Sequence, residues 1–372
     1  MAINPFLLKG YTEPEYFCDR KKETKSIIDS INNQQDITLY AYRRLGKSAL
    51  IHHIFYQLRK KYYCIYADVW GTASYHDFTR ELTNAILKSD AFSKRTFSQK
   101  ISEFVKSIGA SISIGLDGTP SVDMMLHERN QSFRNLEEIF SFLNQLDKPT
   151  ILSIDEFQEI RNYKGEQPLE AKLRSLSQQN QNIRFIYSGS EFHLINEMFN
   201  KFNSPFYQST RMLHLEKIEQ TSYHDFIFSH FNKAKKKISP IVIDEILRIT
   251  HRHTFYVQSI CNYLFSLDES INTIPDFDKH YFQLLKEKGV FYEELPKRLT
   301  QQQFMTLKAI SEFEFVDSPN SKNFLQKSHV HNPSSMQRIM KSLTDQQFII
   351  KENEGFRLYD VFLEHYLKYV AH

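Results

Sequence analysis

Apolar residues fall in two alternating rhythms along the first two thirds of the chain. Ile37-Thr38-Leu39-Tyr40-Ala41 is a short β-branched and aromatic run. It is followed by a polar turn and then by Leu50, Ile51, Ile54, Phe55 and Leu58 at helical spacing, which predicts strand, loop, helix. Strand runs recur at Tyr63 to Ala67, Thr150 to Ile154, Ile183 to Ser188 and Met212 to Leu215, with helical patterns such as Phe78 to Leu87 and Leu136 to Leu146 between them. Alternation of this kind predicts a three-layer α/β domain around a parallel sheet. One stretch departs from it: Ser111 to Leu116, then Asp117-Gly118, then Val122, Met124 and Leu126 at alternate positions, which reads as an inserted β-hairpin.

After Leu215 the strand signal stops. Helical patterns run from Ser222 to about Lys288, and the lysine-rich run Lys233 to Lys237 reads as a solvated helix end. From Leu299 three short helices are expected, at Gln301 to Ile310, Ser321 to Gln326 and Ser335 to Leu343. Asn332-Pro333-Ser334 supplies the turn and N-cap of the third. Two short strands follow, Phe348 to Lys351 and Phe356 to Tyr359, and the set makes a winged helix-turn-helix. The expected division is 1–216, an α/β core; 217–292, a helical lid; and 293–372, a winged helix.

Composition narrows the function classes. Of 372 residues 41% are hydrophobic and 24% charged, as in a soluble globular protein. Lys+Arg 47 against Asp+Glu 44 leaves a formal charge of +3, so a nucleic-acid contact must come from a local patch. Cys18, Cys64 and Cys261 lie far apart and fit a reducing cytoplasm. Neither a signal peptide nor a long apolar span is visible, so no membrane partner is expected.

The chemistry starts at Gly46-Lys47-Ser48, placed where the first strand has ended and a helix begins. There the backbone N–H groups of Leu45 to Ala49 face a phosphate, Lys47 reaches its oxygens and the Ser48 hydroxyl ligates Mg²⁺. The full G-x-x-x-x-G-K-[ST] pattern is not met because Ala41 stands at the first Gly. An Ala fits there unless φ must be positive. Arg43 and Arg44 add positive charge beside the phosphates. Downstream, Ile151-Leu152-Ser153-Ile154-Asp155-Glu156 is an apolar strand ending in two carboxylates, which puts them at the carboxyl edge of a parallel sheet where ligands bind. Asp155 suits the Mg²⁺ shell and Glu156 the attacking water. Ser188-Gly189-Ser190 ends the next strand and brings a hydroxyl to the same edge, and Arg211 is a candidate for charge compensation at a γ-phosphate, set against an ordinary surface arginine. His251-x-His253 and His329-x-His331 lack a third ligand at zinc spacing.

Asn4-Pro5-Phe6, Tyr16-Phe17-Cys18-Asp19-Arg20, Arg43 to Ser48, Asp155-Glu156-Phe157-Gln158 and Tyr187-Ser188-Gly189-Ser190 occur in this order. Together they resemble the prokaryotic ATPases of the archaeal ATPase family, P-loop NTPases close to the AAA+ and STAND groups. The resemblance extends over nearly the whole chain, through His253-Thr254-Phe255-Tyr256-Val257-Gln258 to the terminal winged helix. It implies an ASCE-type core with strand order 5-1-4-3-2, ATP and Mg²⁺ as ligands, Lys47 and Ser48 on phosphate and metal, Asp155 on the metal, Glu156 on the catalytic water and Ser188 as sensor. It further implies that the segment holding Phe17 and Arg20 closes over adenine. Two departures stand out: Ala41, which points to slow turnover, and Arg252-His253-Thr254 where relatives often carry Gly-His-Pro. The leading expectation is a slow Mg²⁺-dependent ATPase that repositions its lid and winged helix. The alternative is a nucleotide-switched DNA-binding module, with Gln337, Arg338, Lys341, Lys351 and Arg357 as its contacts. A winged helix serves equally as a lever toward a protein partner, and a homo-oligomer that borrows a neighbour's arginine is a third reading.

Overall fold

The computed structural model describes residues 4–89, 104–114, 120–124, 129–163, 169–352 and 355–371. They fall into two compact units, Lys9–Ile218 and a second in which residues 4–8 join Glu219–His372.

The first unit is built on five parallel strands: β1 (Ile37–Tyr40), β2 (Tyr63–Asp68), β5 (Thr150–Asp155), β6 (Ile183–Gly189) and β7 (Arg211–His214). Their order is β2-β5-β6-β1-β7, which is the expected 5-1-4-3-2 read from the other edge with the hairpin strands left out of the count. The period of two sorts side chains to opposite faces. Ile151 and Ile186 pack with α1 (Lys21–Asn32) and α2 (Lys47–Leu58), where Leu50, Ile51 and Ile54 are buried. Leu152, Ile154, Phe185 and Tyr187 pack on the opposite side with α3 (Tyr75–Lys88), α4 (Arg129–Asn144), α5 (Leu169–Gln179) and α6 (Phe192–Asn200). The hairpin is present as antiparallel β3 (Ala110–Ile114) and β4 (Pro120–Met124), with Ala110 opposite Met124. Its Asp117-Gly118 turn lies outside the described residues.

The second unit is helical: α7 (Gln220–Lys233), α8 (Pro240–Ile249), α9 (Thr254–Ser266), α10 (Ile274–Gly289) and the short α11 (Leu295–Arg298). The winged helix follows as α12 (Gln301–Phe313), α13 (Lys322–Lys327), α14 (Pro333–Asp345), β8 (Ile349–Glu352) and β9 (Gly355–Leu358). Capping explains several starts. Thr300 and Gln303 close a capping box on α12, Thr273 and Asp276 one on α10, and Asn332 accepts from Ser335 N at 2.7 Å to open α14. A final helix, α15 (Val361–Tyr369), follows the wing and is absent from the sequence-based expectation. Its Leu363 and Leu367 complete the winged-helix core beside Leu307 and Ile310.

Residues 4–8, expected with the core, sit elsewhere: Phe6 is fully buried against Phe226, Phe231 and Phe265 of the helical unit. Asn4 Nδ2 donates to Asn262 O at 2.9 Å and Asn262 Nδ2 to Phe6 O at 2.7 Å, locking that segment onto α9. The helical region and the winged helix lie together in one compact unit, Glu219–His372 with residues 4–8. The departure at Arg252-His253-Thr254 also has a local cost: Arg252 sits at φ 56°, where Gly is relaxed and a side chain is not, and Thr254 opens α9 at the position that favours Pro.

Candidate functional site

The loop between β1 and α2 is shaped by two residues in left-handed conformation, Arg44 at φ 65° and Gly46 at φ 97°. Ala41 is not among the residues with positive φ, so its methyl group is compatible with the loop, as the sequence suggested. Leu45 anchors the loop in the core at 3% exposure. The first turn of α2, from Lys47 through Ala49, directs N–H groups without intrahelical acceptors toward the loop, together with the positive end of the helix dipole.

Lys47 is buried, with its Nζ 3.4 Å from Ala41 O, a long contact for an ammonium. Burial lowers its pKa, partly offset by the carboxylates of Glu156 and Asp155, while Arg43 pushes it down further. Such a cation is poised to gain a phosphate as its partner.

Asp155 is the hub of the site. It ends β5 on the same face as Ile151, the face that α2 covers. Oδ2 accepts from Ser48 Oγ at 2.8 Å and from the Tyr66 hydroxyl, and Oδ1 accepts from Ser188 Oγ at 2.5 Å and from Glu156 N at 3.0 Å. Burial opposes its ionisation, but the Lys47 charge and the hydroxyls of Ser188, Tyr66 and Ser48 outweigh it and hold the carboxyl below its usual range. Asp155 is therefore a carboxylate at neutral pH, joined to the helix serine as a metal-holding pair requires.

Glu156 follows at φ 53°, a strained conformation for a non-glycine residue that turns its side chain away from the strand's alternation. Its Oε2 accepts from Ser190 Oγ and Gln158 Nε2, both at 2.6 Å. Arg43 Nε in turn donates to Ser190 Oγ at 3.3 Å, and its guanidinium stacks 4.3 Å over the exposed ring of Trp70. Gly189 permits this arrangement: a Cβ there would lie 2.4 Å from Gln158 Oε1 and 2.6 Å from Ile195 Cδ1.

The structure thus brings Lys47, Ser48, Asp155, Glu156, Ser188 and Arg43 to one sheet edge. Three other candidates behave differently. Arg20 is 3% exposed, and its guanidinium donates to Leu45 O at 3.3 Å, Glu216 O at 2.5 Å and Glu23 at 2.8 Å. Through the Leu45 carbonyl it braces the phosphate loop. Phe17 stacks on His53 at 4.4 Å, on the outer side of α2. Arg211 must be corrected. It pairs with Ile37, at the start of β1, whereas the phosphate loop leaves the end of that strand. Its Nη1 donates to Ser30 Oγ at 3.0 Å, so within its own chain it is fixed at the opposite edge of the sheet from the site. Tyr66 was missed from sequence, although its place two residues before the end of β2 gives the parity that aims it at Asp155.

The residues fit a nucleotide with a divalent metal: a desolvated lysine, a helix N-terminus, and a hydroxyl and carboxylate already in contact. A family model for an ATPase domain predominantly from Archaea matches residues 17–237, more than half of the chain. One for a probable winged helix domain matches residues 290–369. A Walker-type ATPase of Pyrococcus abyssi superposes with TM-score 0.66 at 19% identity, over 98% of this chain and 99% of that one. The ORC2 protein of Aeropyrum pernix, in ADPNP and ADP complexes, does so with TM-score 0.57 at 12% identity over 98% of both chains. The ORC1 protein of the same organism in complex with DNA gives 0.52 at 10% identity, over 95% and 93%. At such identities these likenesses speak to the fold alone, and no curated protein sequence matches the chain. The family model, the strand order and the phosphate loop agree: this chain belongs to the archaeal ATPase family of P-loop proteins and carries a winged helix at its C-terminal end.

Proposed function

We propose that the protein is a slow Mg²⁺-dependent ATPase whose nucleotide state is passed to its lid and winged helix. The observation that carries this reading is the contact of Ser48 Oγ with Asp155 Oδ2 at 2.8 Å, beside a glutamate held in place by two donors. Lys47 and the first-turn N–H groups of α2 bind the phosphates of ATP. Ser48 and Asp155 would hold Mg²⁺, which when bound would supply positive charge to the phosphates. Ser190 and Gln158 fix Glu156 through Oε2, leaving Oε1 to accept a proton from the attacking water. Ser188, fully buried, orients Asp155. In its own chain Arg211 and Arg20 are held by other partners, so Arg43, which acts electrostatically on Lys47, supplies positive charge beside it. Phosphate release by the purified protein should require Mg²⁺ and stop with chelator. Absence of Mg²⁺-dependent release, with and without duplex DNA, would overturn the reading.

A second reading, contact of the winged helix with DNA, is favoured by one observation. Gln337, Arg338 and Lys341 are exposed on α14, and Lys351 is exposed on β8. Arg357 drops out of the expected set because it is 4% exposed and donates to Glu352 at 2.8 Å. Replacing Arg338, Lys341 and Lys351 together with alanine should weaken duplex binding and flatten its salt dependence, by roughly 0.9 in log–log slope for each phosphate no longer neutralised. Fluorescence anisotropy across a salt series measures this. An unchanged slope would mean that this face does not meet the backbone.

A further inference from the structure

A cavity of about 280 Å³ lies within the second unit, between α8 and α10 on one side and the end of α12 with α15 on the other. Its mouth is formed by the exposed residues Asp278, Arg248, Phe282 and Tyr369, and its inner wall by buried Phe277, Tyr281, Glu364 and His365. Four carboxyls line it: Glu245, Asp278, Glu314 and Glu364. Two of these are neutralised locally. Arg248 grips Glu245 with hydrogen bonds of 2.8 and 2.7 Å, and Lys368 donates to Glu314 at 2.6 Å.

The other two, Asp278 and Glu364, have no ion pair among the described residues. Glu364 is 2% exposed, and its Oε2 has no hydrogen-bond partner among the described residues. A buried acceptor left without a donor is costly and rare in folded proteins, and the residue that carries this one lines the cavity. Arg357 of β9 exerts the largest opposite-sign influence on Glu364, but its guanidinium is bonded to Glu352. The aromatic rings of Phe277, Tyr281, Phe282 and Tyr369 around the cavity suit a cation with an alkyl body.

We propose that this cavity is a binding site for a small aliphatic amine in its protonated form, with Glu364 as the buried counter-ion and Asp278 as the counter-ion at the mouth. A diamine such as putrescine offers one ammonium to each of the two carboxyls, Glu364 and Asp278, that line the cavity. The inference is independent of the nucleotide site, which lies in the other unit.

The surroundings give the pH dependence its sign. Burial pushes Glu364 up to about 8, against the lowering influence of Arg357 and Lys368 and with the raising influence of Glu314 and Asp360. Burial, then Lys368, pushes His365 down to about 4, and its Nδ1 meets the Tyr281 hydroxyl at 2.5 Å, so it stays neutral at neutral pH. Asp278 is raised by burial and by Glu245. His251 also lines the cavity. An amine that binds the ionised form of Glu364 must displace its proton, so affinity should rise about 20-fold between pH 6.5 and 8.5.

Isothermal titration calorimetry of the full chain with putrescine, without nucleotide, tests this. The expected result is saturable binding that strengthens with pH, a loss of ten-fold or more in Glu364→Gln together with the pH dependence, and no binding of the neutral isostere 1,4-butanediol. Should Glu364→Gln fail to fold, Asp278→Asn at the exposed mouth should weaken binding while keeping the pH dependence. Absence of putrescine binding at pH 8.5, equal binding of the diol, or full affinity in both variants would overturn the proposal. Lys47→Ala protein should bind putrescine as the wild type does, whatever the outcome at the nucleotide site.

Discussion

Lys47→Ala should raise the dissociation constant for ATP at least 100-fold, because it removes the buried lysine of the phosphate loop. Two charge-assisted hydrogen bonds to phosphate oxygens, at about 1.5–3 kcal/mol each, correspond to roughly 3–6 kcal/mol of binding. A second effect has the same sign. Asp155 and Glu156 both act electrostatically on Lys47, so without it the carboxylates would face the incoming phosphates with less positive charge to offset them. The fold should survive, since Lys47 is held at the expense of burial that lowers its pKa, and alanine in the first turn of a helix is well tolerated. Calorimetric titration with ATP, beside a thermal melt, separates the two. A dissociation constant within about three-fold of the wild type would show that phosphate is bound elsewhere.

The parts of the site legible in sequence are those whose position follows from strand direction. A loop that leaves a parallel strand toward a helix, and two carboxylates that end the strand two places away in the sheet, converge at one edge whatever the rest of the chain does. The same rule argues against Arg211, which opens β7 beside Ile37 and so sits at the far edge. Only its nearness in sequence to the last core strand recommended it. Tyr66 belongs to no motif. Its role comes from register: Tyr66 lies beside Ser153 and Asp68 beside Asp155, and side-chain alternation then leads the phenol to Asp155. The hydrophobic periods also conveyed the winged helix, but not the burial of Arg357. That depends on the pairing of Ile350 with Arg357 in a two-stranded sheet and on Glu352, a partner that stands in no recognisable motif. Residues 4–8 escaped the assignment because an isolated Phe carries no period, and its place is fixed by aromatic neighbours more than 200 residues away.

Glu156→Gln should keep ATP affinity within about three-fold and lower phosphate release by a factor of about 10² to 10⁴, the range that a positioned general base contributes. The substitution keeps the shape of the side chain and removes its charge. Ser190 and Gln158 both donate to Oε2, and a glutamine carbonyl oxygen still accepts from them, so the strained backbone at Glu156 has the same support. What changes is the other terminal atom, which becomes an NH₂ group that cannot take a proton from water. Asp155 keeps its bonds from Ser48, Tyr66 and Ser188, so the metal-holding pair is untouched. Binding and turnover therefore separate at Glu156, whereas at Lys47 they fail together. A phosphate-release assay beside calorimetry reads both quantities on the same protein, and turnover by Glu156→Gln at the wild-type rate would mean that another group activates the water.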